Sequence, residues 1–325
     1  MKHKILNLSP DSYQANFIHT QERDWAETNC YVDIWIELLH ALKKDPRAAL
    51  SYTLAIDFEG DQWTFFKFPL NDLKDLYGLD VQELAVWRPV VDHVEEQVAL
   101  GRPVLVELDS FFLPDTVGMA YQLAHVKSTV AVTAIDKQEK RLGYFHGQSY
   151  YELSGDDFDK VFHLDRDYDD AILPPYVEIV KIRKGYEPSD SKMLEIVKQQ
   201  LIGQLNWLPL QNPFTEYQKR LQADLDWLMS EDMQMFHDYS FATLRQLGAC
   251  YELSTHFIDW LIENGETSLD GIRAEFKSIS ELAKVYQFQL ARAMSRKKQL
   301  DLSTIEKMAE HWDKAMSGLK AKYLQ

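Results

Sequence analysis

Cys30 opens the run CYVDIWIELLH, and its surroundings place a thiol at the head of a helix. Thr28 and Asn29 before it are helix-capping types. Val32, Trp35, Ile36 and Leu39 follow at helical spacing and give one apolar face. In the first turn of such a helix, unpaired backbone N–H groups and the helix dipole favour a negative charge. They therefore favour the thiolate, the nucleophilic form of cysteine. A small buried core residue is the other role open to this cysteine. His125 lies 95 residues further on, at the head of HVKSTVAVTAID. A thiol at a helix head and an imidazole entering a sheet can act as a couple. The imidazole takes the thiol proton and later protonates the leaving group. A third polar group normally orients the imidazole. By position that group is His146, at the end of the adjacent strand, with Gln148, Asp136 and Asp109 as alternatives. Asn29 or the Cys30 backbone N–H could meet the oxyanion.

The elements that must position these groups fall into two parts. AspProArg at residues 45–47 breaks the pattern after the Cys30 helix. Ser51–Asp57 is apolar and β-prone, with a helix left open by Ala49 and Leu50, and Phe58–Pro69 joins a Gly-Asp turn to an aromatic run. Asn71–Tyr77 reads as a short helix ending at Gly78, Val81–Trp87 as a strand, and Val90–Leu100 as a helix. The pattern then switches to sheet: Pro103–Asp109, His125–Asp136, Arg141–His146, Ser149–Leu153 and Tyr176–Arg183, with a helix over Ser154–Phe162. In His125–Asp136, Val126, Ser128, Val130, Val132 and Ala134 share one side. A polar hinge around Lys184–Pro188 follows. Ser189–Asn206, Pro213–Met229, Met233–Gly248, Tyr251–Asn264, Leu269–Arg296 and Ser303–Lys322 all carry helical periodicity. The expected division is an α+β domain over 1–187 and an all-helical domain over 188–325.

Composition narrows the function classes. The chain has 325 residues, 46% hydrophobic and 26% charged, which is ordinary for a globular protein. A net charge of −16 argues against nucleic-acid binding. Residues 284–325 carry nine basic and four acidic side chains, so a local basic surface fits on an acidic body. Two cysteines 220 positions apart form no disulfide framework, and no pair has metal-site spacing. The first residues lack a signal-peptide core, and no window approaches a membrane span. The expectation is a cytoplasmic protein with neither nucleic acid nor membrane as partner. There is no GxGxxG, Walker loop or HExxH. Cys250 reads as core.

Five blocks carry a resemblance: TNCYVDIWIELLH, FEGDQWTFFKFP, DSFFLPDT, AHVKSTVAVTAID and YFHGQSYYELSG. They resemble the signature blocks of an uncharacterised bacterial family, domain of unknown function eighteen-thirty-nine. More remotely, the order of Cys30, GRPVLVELDSFFLP and the strand headed by His125 is similar to acyltransferases of the butirosin biosynthesis protein H type. That similarity implies a papain-like α+β domain that moves an acyl group from a carrier-protein thioester to an amine. Cys30 would be the acyl-accepting nucleophile and His125 its base. The place six residues before the cysteine, where papain-like enzymes keep a glutamine, holds Asp24, with Gln21 further back.

Such a site needs walls that keep water out. Tyr31, Trp63, Phe65, Phe111 and Phe112 could supply them, and core packing explains each equally well. Lys67 and Lys127 are candidates for a phosphopantetheine phosphate or a substrate carboxylate. The expected function is cysteine-dependent acyl or aminoacyl transfer from a carrier-protein or CoA thioester to a small-molecule amine. It would need no cofactor of its own beyond the donor's phosphopantetheine, and its partner would be an acyl carrier protein. The rivals are a non-catalytic carrier-binding or scaffold protein of papain-like fold and a cysteine hydrolase or peptidase.

Overall fold

A computed structural model describes residues 1–20, 23–25, 28–165 and 173–324. The chain is α+β and divides into two compact units. One comprises 1–21, 29–46 and 73–187; the other comprises 22–28, 47–72 and 188–325. The segment 47–72, expected with the α+β part, thus belongs with the helical unit. Its residues 51–57 are also not a strand: Pro46–Ala55 forms 3-10 turns. Among the described residues no helix is long and apolar enough to cross a membrane.

The first unit is built on a sheet. In chain order its elements are β1 (His3–Lys4), α1 (Phe17–Thr20), α2 (Cys30–Ala41), α3 (Leu70–Tyr77, from Leu73 on), β2 (Leu79–Glu83), α4 (Val90–Ala99), β3 (Val104–Asp109), β4 (Lys127–Asp136), β5 (Arg141–His146), β6 (Ser149–Ser154), α5 (Asp156–Val161) and β7 (Val177–Ile182). Among the described residues seven strands form one sheet in the order β2-β7-β3-β4-β5-β6, with β1 also paired to β4. Every pairing is antiparallel.

Alternation along β4 separates two faces. Val130 and Val132 join Val104, Val106, Tyr144, Val177 and Ile179 in a core with Val91, Val94 and Val98 of α4 and Phe158 and Val161 of α5. A bulge between Val132 and Ala134 shifts the period, so Ile135 rather than Ala134 rejoins that core. The opposite face of β4, β5 and β6 is covered by α2, whose residues 31–39 are all buried.

The second unit is helical: α6 (Asp190–Asn206), α7 (Pro213–Ser230), α8 (Met233–Ser240), a π-helical turn at Phe241–Arg245, α9 (Gln246–Glu263), α10 (Asp270–Arg296) and α11 (Ser303–Tyr323). The run expected as one helix over 233–248 is therefore interrupted by the π turn. Cys250 is fully buried, its Sγ donating to the Thr53 carbonyl at 3.3 Å, and burial pushes its thiol up. Trp25 packs on α9 where Gly248 leaves room: a Cβ there would lie 2.2 Å from the indole. Gly248→Ala would gain about 1 kcal/mol of helix propensity. Overpacking of about 1–3 kcal/mol opposes it, and a backbone fixed by the Ser280 hydroxyl on the Gly248 carbonyl at 2.8 Å limits relaxation. The expected outcome in urea denaturation is a net loss of stability.

Candidate functional site

Asn29 caps α2 from an extended backbone (φ −148°, ψ 158°), its Oδ1 accepting the Val32 N–H at 2.9 Å. Cys30 is the first residue of the helix and is half-buried. The cap occupies the Asn29 side-chain oxygen. The Cys30 thiol meets a hydroxyl: Sγ donates to Thr129 Oγ1 across 3.8 Å. Next along α2, Tyr31 donates its hydroxyl to Glu178 of β7 at 2.9 Å, and Tyr176 donates to the other oxygen of that carboxylate at 2.8 Å.

Thr129 belongs to a polar line on the face of the sheet that α2 covers. Lys127 and Thr129 stand on that face with Asp109 and Glu107 opposite them on β3. Lys127 pairs with Glu107 at 2.7 Å. The ladder continues one step beyond the strand through the Ser110 N–H to the Val126 carbonyl, which brings His125 to the end of the line. Its Nδ1 lies 2.5 Å from Asp109 Oδ2, and its ring stacks on Phe111 with centroids 4.4 Å apart and planes at 12°. The imidazole is 69% exposed. Four residues of extended backbone, about 13 Å, separate the His125 and Thr129 positions. Sulfur and imidazole thus share a face but have different partners. Asp109, one of the alternatives for the orienting group, is the carboxylate that holds the imidazole.

His146 takes a different place from the one its position suggested. It shares the Asp115 carboxylate with Tyr144, its Nδ1 2.6 Å from Oδ2 and the Tyr144 hydroxyl on Oδ1. Tyr144 belongs to the α4–α5 core, so strand alternation puts His146 on the opposite face from Cys30. It cannot orient His125 from there. Gln148 lies in the turn joining β5 to β6. Asp136 ends β4 at the far end from His125, where its carboxylate accepts the Glu139 N–H at 3.1 Å and the Lys2 N–H at 2.9 Å. Those bonds, the Glu139 one foremost, hold its carboxyl below the usual range. Its role is a turn cap.

Among the expected walls, Phe112 is buried in the α4–α5 core. Trp63 is fully buried in the helical unit, 4.9 Å from Phe214 and 6.0 Å from Tyr217, so it is core there. Lys67 is exposed on that same unit. Phe65 is exposed and Phe111 carries the His125 ring. Gln21 lies outside the described residues.

One cluster was missed in the sequence. Asp33 and Glu37 stand one turn apart on α2, and His19 of α1 bridges them: Nδ1 to Glu37, Nε2 to Asp33 Oδ1 at 3.4 Å. The Tyr13 hydroxyl donates to the same Glu37 carboxylate, and the Asn16 N–H reaches it at 3.0 Å. His19 and Glu37 side chains are 0% exposed. Burial opposes charge on His19, but the Asp33 and Glu37 hydrogen bonds and charges outweigh it, and its pKa is raised. The available signal was two carboxylates inside an otherwise apolar helix, which a buried helix cannot carry without a counter-charge.

The geometry defines an α+β protein whose sheet carries a helix-head thiol and an imidazole–carboxylate pair on one face, followed in the chain by a helical unit. Two family models match it: the DUF1839 N-terminal domain over residues 14–182 and the DUF1839 C-terminal domain over residues 190–321. The chain belongs to the DUF1839 family. No curated protein matches it.

Proposed function

We propose that this chain is a papain-like binding module, one that displays a helix-head thiol to a carrier-borne acyl ligand without turning it over. The observation that carries the reading is the hydroxyl of Thr129 opposite Cys30 Sγ. A threonine hydroxyl cannot accept a thiol proton at neutral pH, so the general base of cysteine catalysis is missing where the sulfur meets the sheet. The ligand class rests on the block order shared with butirosin-type acyltransferases. The partner is then an acyl carrier protein whose phosphopantetheine brings the acyl group, and the setting is the cytoplasm.

Cysteine-dependent acyl transfer to an amine is the second reading, and His125 favours it. Its imidazole is exposed, oriented by Asp109 and on the sulfur's side of the sheet. An acceptor amine that drew this ring toward Cys30 would complete the couple. Intact-protein mass spectrometry with acetyl-CoA and an acylated carrier protein separates the two. The binding module gives no turnover, and Cys30→Ala keeps carrier affinity within about twofold, since no covalent bond contributes to it. A Cys30-dependent acyl adduct that forms in the native protein and disappears in His125→Ala would overturn the first reading and establish the second.

A further inference from the structure

The edge of the sheet farthest from β6 holds a cavity of about 310 Å³, lined by Lys74, Gly78, Asp80, Lys181, Ile182 and Arg183. Asp80 and Lys181 are directly opposed on β2 and β7. Lys181 lies on the same face of β7 as the core residues Val177 and Ile179, four and two positions earlier, so this group sits on the other side of the sheet from Cys30. Three cations and one carboxylate make it locally basic in a chain of net charge −16. Asp80 serves two of the cations, Lys74 at 3.4 Å and Lys181 at 3.8 Å. Arg183 has no carboxylate partner among the described residues.

The mount of Arg183 is built. Its guanidinium lies over the Tyr186 ring, 5.5 Å from the centroid, and its backbone N–H donates to the Gly78 carbonyl at 2.9 Å. Tyr186 in turn packs where Gly78 has no side chain: a Cβ there would lie 2.8 Å from it, and φ is +67°. The Tyr186 hydroxyl donates to the Asp75 carbonyl at 2.5 Å. A planar five-donor group is thereby held at the cavity, with two ammonium groups beside it and one carboxylate competing for them.

We propose that this cavity is a phosphate site, taking free phosphate or the phosphate of a monoester through a bidentate Arg183 contact with Lys74 and Lys181 in support. The entering phosphate displaces Asp80 from the two lysines. The proposal is independent of the Cys30 readings.

The test is titration of the full chain with inorganic phosphate, glycerol 3-phosphate and citrate, by calorimetry and by amide NMR shifts at Gly78 and Arg183. Salt near 0.15 M screens the acidic remainder of the surface. Saturable phosphate binding that Arg183→Gln weakens by about tenfold or more is expected, since charge-assisted pairs are the strong ones. Arg183→Lys should recover only part of it, because the charge returns without the fork. Asp80→Asn, which removes the competitor, should tighten binding by about fivefold. Glycerol 3-phosphate binding more tightly than phosphate identifies a monoester site, and the reverse order a free-phosphate site. No saturable binding, citrate bound as tightly as phosphate, or affinities unmoved in both Arg183→Gln and Asp80→Asn would each overturn the proposal.

Discussion

Thr129→His is expected to raise the rate at which Cys30 reacts with iodoacetamide at neutral pH by at least about tenfold, because it installs a proton acceptor where the sulfur now meets a hydroxyl. Thr129 is the sheet residue that the Cys30 thiol addresses, 3.8 Å away, and it is buried beside a half-buried cysteine. An imidazole at this position faces the first turn of α2, where Cys30 is the first helical residue. The pair would then hold a proton between sulfur and nitrogen, the arrangement on which cysteine nucleophiles depend. Thr129→Val is the matched control and should stay within about twofold of the native rate, since it removes only a weak S–H···O contact. The measurement is peptide mass spectrometry of Cys30 alkylation against time, with Cys250, fully buried, as the internal unreactive thiol. A native protein that alkylates as fast as Thr129→His, and loses that rate in His125→Ala, would sink the view that the sulfur lacks its base.

How far the sequence went follows from which signals are local. The Cys30 helix was legible because its cap and its apolar spacing lie within a dozen residues, and α2 starts at Cys30 as read. The strands from Pro103 to Arg183 were legible for the same reason, and each matches a strand to within two residues. Partner choice was not local. Period two in HVKSTVAVTAID already put 125, 127 and 129 on the line opposite Val126, Ser128 and Val130. Which of those three meets the sulfur depends on how far along β4 the head of α2 lands, a tertiary fact. His146 differs: it stands at the end of the neighbouring strand, but it shares the face of Tyr144 and so points away from Cys30. Asp109 could be reached because it sits at the end of the strand that pairs with β4, so its register partner is Lys127 and His125 is next in line. Trp63 and Lys67 carry only their aromatic and basic types as signals, and neither type tells which unit holds 47–72. The His19 cluster was hidden because its ion partners lie on α2, 14 and 18 positions away, and neither spacing is that of a motif.

His19→Ala is expected to lower the free energy of unfolding by about 3–5 kcal/mol, the range for removing one member of a buried charge cluster. The imidazole bridges Asp33 and Glu37, and all three side chains are almost fully buried. Its loss leaves two carboxylates one turn apart in a low-dielectric setting, where like charges repel and neither is solvated. The Tyr13 hydroxyl and the Asn16 N–H remain on Glu37 and stabilise it, so the loss should not exceed that range. The pH dependence carries a definite sign. The native pKa of His19 lies above the ordinary 6.5, so the folded state binds the proton more tightly than the unfolded chain. Its contribution is therefore fully present below about pH 6.5 and fades as pH rises through the raised native value. Urea unfolding of the native protein and of His19→Gln at pH 6, 7.5 and 9 isolates the effect. The gap in stability between the two should be widest at pH 6 and shrink toward pH 9, because Gln keeps hydrogen bonding but not the proton. A gap that stays constant across this range, or widens with pH, would mean that the imidazole sits between those carboxylates neutral, and that α2 is anchored by packing alone.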